Sequence, residues 1–435
     1  MSTQTVLPIG RQYIEEAAGK KNEPSWMTEF RLQALELAGS TELPKLEKTR
    51  IDRWQLDAYG TYKSQAKLES PEQLPAAAKQ LLPEGAASGD NLIVQRNSGA
   101  VWAKLSGELA AQGVIFTDLE TAVREHGDLV KPYFMNGVKP DENRLTALHG
   151  ALWNGGVFLY IPKNVRIEAP LQALFLADDA EATFAPHVLI VAEANSSVAY
   201  VENYLSGDDL EMVSNGVVEV FAKPGAHVHV ASVHNLGKRS TGLVYRRAIT
   251  EQDARVEWVI GELNSGNSVA DIHSVLKGNG SSSDTKVISV GAGEQKMNLT
   301  TRANHFGRST PSEMITRAVM KDEATAIING ITKIEKGATG ANGEQTERVL
   351  MLSRRARGDA NPILLIDEDD VKAGHAASVG QVNPEHMYYL MSRGIPKSEA
   401  HKLIVYGFLA PVISEVPLEH VRKQLQLLVE RKLEQ

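Results

Sequence analysis

The sequence predicts a mainly β protein built on a β-solenoid, with helical regions on either side of it. Three observations carry this. From residue 156 to about 382, short β-branched runs alternate with turn clusters and helical periodicity disappears. Four of those runs overlay when Ser197, Ala226, Ala254 and Thr285 are aligned, at intervals of 29, 28 and 31 (226−197, 254−226, 285−254). The chain of 435 residues also exceeds the roughly 250–300 residues at which one compact core stops growing, so it needs a repeat architecture or several domains. Strands repeating at this interval without helices between them fit stacked coils that share one core. A β-sandwich made of hairpins is the alternative.

Residues 1–155 form the first region and read as short helices. Met27, Phe30, Ala34 and Leu37 recur at helical spacing after Pro24-Ser25, with Gly39 as the stop. Ser70-Pro71-Glu72-Gln73 and Thr117-Asp118-Leu119-Glu120 match the capping box and predict two further helix starts. Leu145, Leu148, Ala151 and Leu152 extend a helix from Asp141 until Asn154-Gly155-Gly156 breaks it, and that glycine pair is the expected boundary.

The second region, 156–382, begins with the strand Val157–Pro162. Its overlaid segments start at Ser196, Gly225, Asp253 and Asp284, each with a turn-prone residue followed by the alternation of a strand with one buried face. The third region, 383–435, returns to helices: one from Pro384 to Met391 closed by Ser392-Arg393-Gly394, one capped by Ser398, and one opened by Pro417. In the last, Leu418, Val421, Leu425 and Leu428 form an apolar stripe, expected to pack on its own domain, with partner docking as the lesser reading.

Composition narrows the chemistry. Zero cysteines exclude disulfides, thiolate ligands, nucleophilic thiols and persulfide carriers on this chain. A net charge of −8 argues against a broad nucleic-acid surface. Met1–Pro8 lacks the basic and apolar runs of a secretory signal, so a cytoplasmic location is expected. Leu403 to Ile413 is interrupted by Gly407 and Pro411 and is far shorter than the roughly 20 residues of a membrane span, so no integral membrane segment is expected. No phosphate-cradling Gly-x-x-x-x-Gly-Lys-Ser/Thr, no His-Glu-x-x-His and no Gly-x-Ser-x-Gly occurs, while Gly337, Gly340 and Gly343 read as a loop.

His227 and His229 alternate on one strand and share a face, a geometry that could hold a metal. With no third ligand evident and His234 not closing a triad, a packed or surface pair is the expected reading. Asp367, Glu368, Asp369 and Asp370 read as a solvated turn, and His375, between Gly374 and Ala376-Ala377, as an accessible but ordinary histidine.

The block Asp369-Asp370-Val371-Lys372-Ala373-Gly374-His375-Ala376-Ala377, followed by Ser392-Arg393-Gly394-Ile395, adds a different kind of information. It resembles the Asp-Asp-Val-Lys-Cys-Ser-His-Gly-Ala signature of the SufB/SufD family of iron–sulfur cluster assembly proteins, with Ala373 where the cysteine would stand. Glu23-Pro24-Ser25-Trp26-Met27-Thr28-Glu29-Phe30-Arg31, Phe158–Pro170, Glu347–Ser353 and Pro362–Ile366 are similar to other family segments, so the resemblance spans residues 23 to about 410. It implies a right-handed parallel β-helix core between helical ends. It also implies a non-catalytic subunit of a scaffold complex, paired with SufB through the end of the β-helix and with SufC, an ABC-type ATPase, through the C-terminal helices.

Sulfur would come indirectly from a cysteine desulfurase and its acceptor. The resemblance places Asp370, Lys372, His375 and Arg393 at the partner interface and makes His375 a candidate ligand of an iron–sulfur cluster shared transiently with SufB. Because SufB needs its thiols, a cysteine-free chain is expected on the SufD branch. In isolation such a solenoid end could also pair with itself as a homodimer. Two rival readings remain: a β-helix enzyme acting on polysaccharide, disfavoured by the 6% aromatic content, and a purely structural spacer.

Overall fold

A computed structural model describes residues 9–74, 76–79, 90–414, 416 and 419–434. Met1–Pro8, Pro417 and Leu418, which entered the expectations above, lie outside the described residues. The first region holds α1 (Arg11–Lys21), α2 (Ser25–Ser40), α3 (Ala76–Lys79), β1 (Leu92–Arg96), β2 (Gly99–Lys104), α4 (Gly107–Ala111), β3 (Ile115–Thr117), α5 (Leu119–Glu125), α6 (Gly127–Val130) and α7 (Arg144–Leu152). Strands then run without an intervening helix: β4 (Val157–Ile161), β5 (Leu171–Ala177), β6 (His187–Ala192), β7 (Ser197–Ser206), β8 (Met212–Ala222), β9 (His227–Asn235), β10 (Ser240–Thr250) and β11 (Arg255–Glu262). They continue as β12 (Asn267–Leu276), β13 (Ser282–Gly291), β14 (Lys296–His305), β15 (Pro311–Met320), β16 (Thr325–Ile334), β17 (Asn342–Met351), β18 (Arg357–Ile366) and β19 (Lys372–Gln381). Helices α8 (Pro384–Ser392), α9 (Lys397–Ile413) and α10 (Glu419–Glu434) follow.

Odd and even strands separate into two sheets, β19-β17-β15-β13-β11-β9-β7-β5-β1-β2 and β18-β16-β14-β12-β10-β8-β6-β4-β3. Every pairing is parallel except β1 with β2 and β3 with β4. This is the parallel β-solenoid, of about eight turns, and not a sandwich of hairpins. The first sheet continues past the glycine pair, because β1 pairs in parallel with β5. Gly155 and Gly156 still mark a corner: both have positive φ (58° and 82°), and a Cβ on Gly156 would collide with the backbone of His187.

The repeat holds, but its register differs from the overlay. Ser197, His227, Arg255 and Ser282 stand in line, at intervals of 30, 28 and 27 (227−197, 255−227, 282−255). The overlay slips by one at the second and third segments and by three at the fourth (227−226, 255−254, 285−282), so Asp284 pairs beside Glu257, not Asp253. Hydrophobic alternation marks a strand's faces and leaves its start undefined when the preceding turn changes length.

Local signals at helix ends are shifted in the same way. Ser70 precedes only a 3₁₀ turn, Pro71–Gln73. Thr117 ends β3, and the cap of α5 is Asp118, which accepts from the Thr121 N–H at 3.0 Å. The helix expected from Asp141 starts at Arg144 behind an Asn143–Thr146 capping box. Pro396, not Ser398, stands at the N-cap of α9, and that helix runs through Gly407 and Pro411. Pro411 has no N–H to give to the carbonyl of Gly407, so one helical bond is missing near the end of that helix.

The lumen is filled by the alternate residues of both sheets, including Trp258, Tyr200, Phe175, Val220 and Ile272. Each terminal region covers one sheet from outside. Met27, Leu119, Leu145 and Trp153 join Phe158, Val191 and Phe221 of the even sheet, while Val405, Leu409, Val421, Leu425 and Val429 join Val233, Val259 and Val290 of the odd sheet. Val421, Leu425 and Leu428 of the expected apolar stripe are thus packed on their own chain. Gly261 leaves the space that Leu425 fills.

Charged groups pin the N-terminal layer. Arg31 donates two bonds to Glu23 (2.8 and 2.6 Å) and one each to the carbonyls of Ala151 and Trp153 (3.0 and 2.9 Å), with its guanidinium over the Trp153 ring. Glu219, at the centre of β8, accepts from the N–H groups of Met135, Gly137 and Val138 and faces His187 at 3.0 Å. Both anchors end at the corner that starts the solenoid.

Candidate functional site at the open end of the solenoid

The last turn, β18 and β19, has a neighbour on one side only. Its approach is built by turn chemistry: the Glu368 carboxylate accepts from the N–H groups of Gly337 and Asp369 (2.8 and 2.9 Å), which holds its carboxyl below the usual carboxylate range. The Gly340 N–H donates to the Asp370 carbonyl at 2.7 Å and the Lys372 N–H to that of Ala341 at 2.9 Å, setting β19 in register on β17. The acidic run is therefore a surface turn, with Asp369 fully exposed.

In that register Ala373, His375, Ala377 and Val379 follow Gly343, Gln345, Glu347 and Val349, the buried face of β17. His375 therefore sits on the lumen side of the terminal strand, yet it is exposed, because no further turn covers it. Asp370, Lys372 and His375 share this end and all three are exposed. Arg393 does not lie on the strand: it caps the C-terminus of α8 and stacks on Tyr389, 5.1 Å to the ring centre. The same turn exposes Ile366 and Val379 (41 and 42%) on its lumen face and Ile363 and Leu365 (39 and 47%) on the outer face of β18. Both terminal strands leave one edge of N–H and C=O groups unpaired beside these exposed apolar side chains.

Beneath His375 lies a polar group that sequence reading missed. Glu347 enters that reading only as part of a family segment, but its side chain is 1% exposed and crosses the lumen to the space left by Gly330. Burial pushes its carboxyl up to about 7, and its Oε2 has no hydrogen-bond partner in the chain. The signal was available in principle, since Gln345 and Glu347 alternate with Val349 on one face. Only the register, however, shows that this face is the inner one.

The other candidates resolve differently. His227 and His229 lie on the outer face of the odd sheet, and both meet Oε2 of Glu257 on the next turn, at 3.1 and 3.0 Å. Their hydrogen bonds hold the Glu257 carboxyl well below the usual range. His234 belongs to the lumen, stacked on Tyr204 at 4.0 Å and 2.7 Å from the guanidinium of Arg246. Among the described residues, no three histidine, aspartate or glutamate side chains converge to hold a metal ion. Among them, too, no helix is long and apolar enough to cross a membrane.

Comparison with known proteins accounts for this architecture. Residues 175–408 match the family described as SUF system FeS cluster assembly, SufBD core domain, and residues 91–173 match the SufBD protein N-terminal region. The chain is 48% identical over 437 residues to the iron–sulfur cluster assembly protein SufD of Bacillus subtilis, covering all of both chains. It is 28% identical to SufB of the same organism, over 97% of this chain and 92% of that one. To an iron–sulfur cluster assembly SufBD family protein of Staphylococcus aureus it is 30% identical, over 95 and 91% of the two chains. A parallel solenoid clad by helices at both ends, matched along its length by these relatives, belongs to the SufB/SufD family of iron–sulfur cluster assembly proteins.

Proposed function

We propose that this chain is the non-catalytic, SufD-type subunit of a cytoplasmic scaffold on which iron–sulfur clusters are built. Its open solenoid end pairs with a SufB-type chain, and Asp370, Lys372 and His375 belong to that contact. His375 offers an imidazole nitrogen to a cluster whose sulfur-bearing ligands come from the partner, since a chain without cysteine has no thiolate to give. The observation that carries the reading is His375 on the lumen side of an uncovered terminal turn, with Val379 exposed on the same face of β19 and Ile366 on the lumen face of β18.

The C-terminal helices carry a second exposed apolar set, Tyr388, Tyr389, Met391, Leu403 and Leu427. These suit docking of a SufC-type ATPase, with Arg393 at the margin, and would couple ATP-driven motion to the solenoid end. A cysteine desulfurase and its acceptor would supply sulfur. The glycan-enzyme reading has no support in the relatives.

The test is co-expression with SufB- and SufC-type partners and measurement of iron and acid-labile sulfide on the purified complex. His375→Ala is expected to leave the complex assembled and to lower both contents. Unchanged contents would remove the ligand role and leave a structural spacer, and failure of the complex to form would remove the pairing.

A further inference from the structure

Four buried polar side chains occupy neighbouring lumen positions in the turns below the open end. Glu347 has Thr316 directly beneath it, and Gly330, towards which its carboxyl points, has Thr301 beneath. Gln345 lies beside Glu347 on the same face, its Oε1 held at 3.0 Å by the Thr332 hydroxyl. Glu347, Gln345, Thr316 and Thr301 are each no more than 2% exposed. Glu347 Oε2, Gln345 Nε2 and both threonine hydroxyls have no hydrogen-bond partner in the chain.

Leaving four such groups unpaired costs roughly 1–3 kcal/mol apiece, so the cluster calls for an occupant. The floor is apolar, with Val287 under Thr316 and Ile272 under Thr301. The roof is thin: Ala377 over Glu347 and Pro362 over Gly330. His375 stands on that roof, over Gln345. With strands about 4.8 Å apart and a rise of about 3.3 Å per residue, the His375 and Glu347 backbones are about 8 Å apart, a gap that both side chains can bridge to one ion.

We propose that this chamber is a divalent-iron site, with the Glu347 carboxylate as its anionic ligand, hydroxyl and amide oxygens beside it, and His375 as the ligand nearest the opening. The donor set is oxygen and imidazole nitrogen with no sulfur, which suits a divalent cation and not sulfide; iron is the cation that the proposed function brings to this end. The ion would enter from the open end and be held until the partner's ligands meet it there. The inference rests on the interface role of His375 and adds the inner ligand and the identity of the cargo component that this chain receives.

The test is titration of the full-length chain with Co2+, a spectroscopic stand-in for Fe2+, followed by its visible d–d absorption and repeated with Fe2+ under anaerobic dialysis. One equivalent is expected per chain, with Glu347→Gln at least tenfold weaker. Glu344→Gln, on the outer face of the same strand, is expected to bind as the parent does. Thermal unfolding checks that both variants are folded. No binding by the parent chain, or equal binding by Glu347→Gln, overturns the inference. The two proposals fail separately. Loss of Co2+ in Glu347→Gln with normal cluster content in His375→Ala sinks only the interface ligand, and the reverse result sinks only the chamber.

Discussion

Arg31 is the residue whose removal should most clearly uncouple the N-terminal layer from the solenoid. Its side chain is 4% exposed and that of Glu23 2%. Burial alone would raise the Glu23 carboxyl, but Arg31 and Lys21 outweigh it and hold it below its ordinary value. Arg31→Met keeps the stem against Trp153, orphans the Glu23 charge and frees the Ala151 and Trp153 carbonyls. Breaking a buried pair costs about 3–5 kcal/mol. Lys21 remains 3.8 Å from Glu23 and offsets part of that, so about 3 kcal/mol is expected here.

The cost falls on α1, α2 and α7, because the later turns of the solenoid share no side chain with this cluster. At about 1.4 kcal/mol per decade, amide exchange in α2 and α7 should accelerate roughly 10²-fold, while β13–β17 keep their protection. The double variant Glu23→Gln, Arg31→Met should recover at least about 1 kcal/mol relative to Arg31→Met alone, since it removes the stranded charge. An acceleration below about tenfold in α2 and α7, or equal loss of protection in β13–β17, would refute this account of the anchor.

Two further outcomes follow from the interior. Burial raises the Glu202 carboxyl to about 6, so the folded state holds that proton more tightly than the unfolded chain does. Stability from this group is present below about pH 4.5 and is lost as pH rises to about 6. Denaturant titrations of Glu202→Gln should therefore gain on the order of 2 kcal/mol against the parent between those limits, and a pH-independent difference would contradict it. Gly156→Ala forces a Cβ into the His187 backbone at a φ of 82° and should destabilise by more than about 1 kcal/mol. Gly19→Ala, in α1 with nothing within 4 Å, should instead stabilise by about 0.5–1 kcal/mol, and thermal unfolding of the pair compares them.

Much of this was legible in the chain. The loss of helical period after Gly156, the nearly constant spacing of the turns and the glycine pair itself all report geometry that the backbone must obey. Register was not legible, because the turn lengths are not fixed and the turn-prone residue used to align the segments does not stand at a constant distance from the first paired residue. That single gap hid two features, one at the histidine pair and one at the open end. Glu257 could not be matched to His227 and His229, nor Glu347 placed under the terminal strand, until Arg255 was known to lie beside His227 and Lys372 beside Asn342. The helix ends failed for a different reason: Thr117 and Asp118 both satisfy a capping pattern, and only the strand pairing of Thr117 with Phe158 decides between them.

The unequal intervals between successive turns bear on how such a chain changes over time: Asn267 follows Thr241 by 26 (267−241), whereas Arg357 follows Thr325 by 32 (357−325). A residue gained or lost at a corner alters only the corner, since the next strand is drawn back onto the pitch of the strand below it. The same event inside a strand would invert its remaining faces and turn charged side chains into the core. Length variation is thereby channelled to the corners and substitution to the outer faces, while the inner columns inherit their order intact.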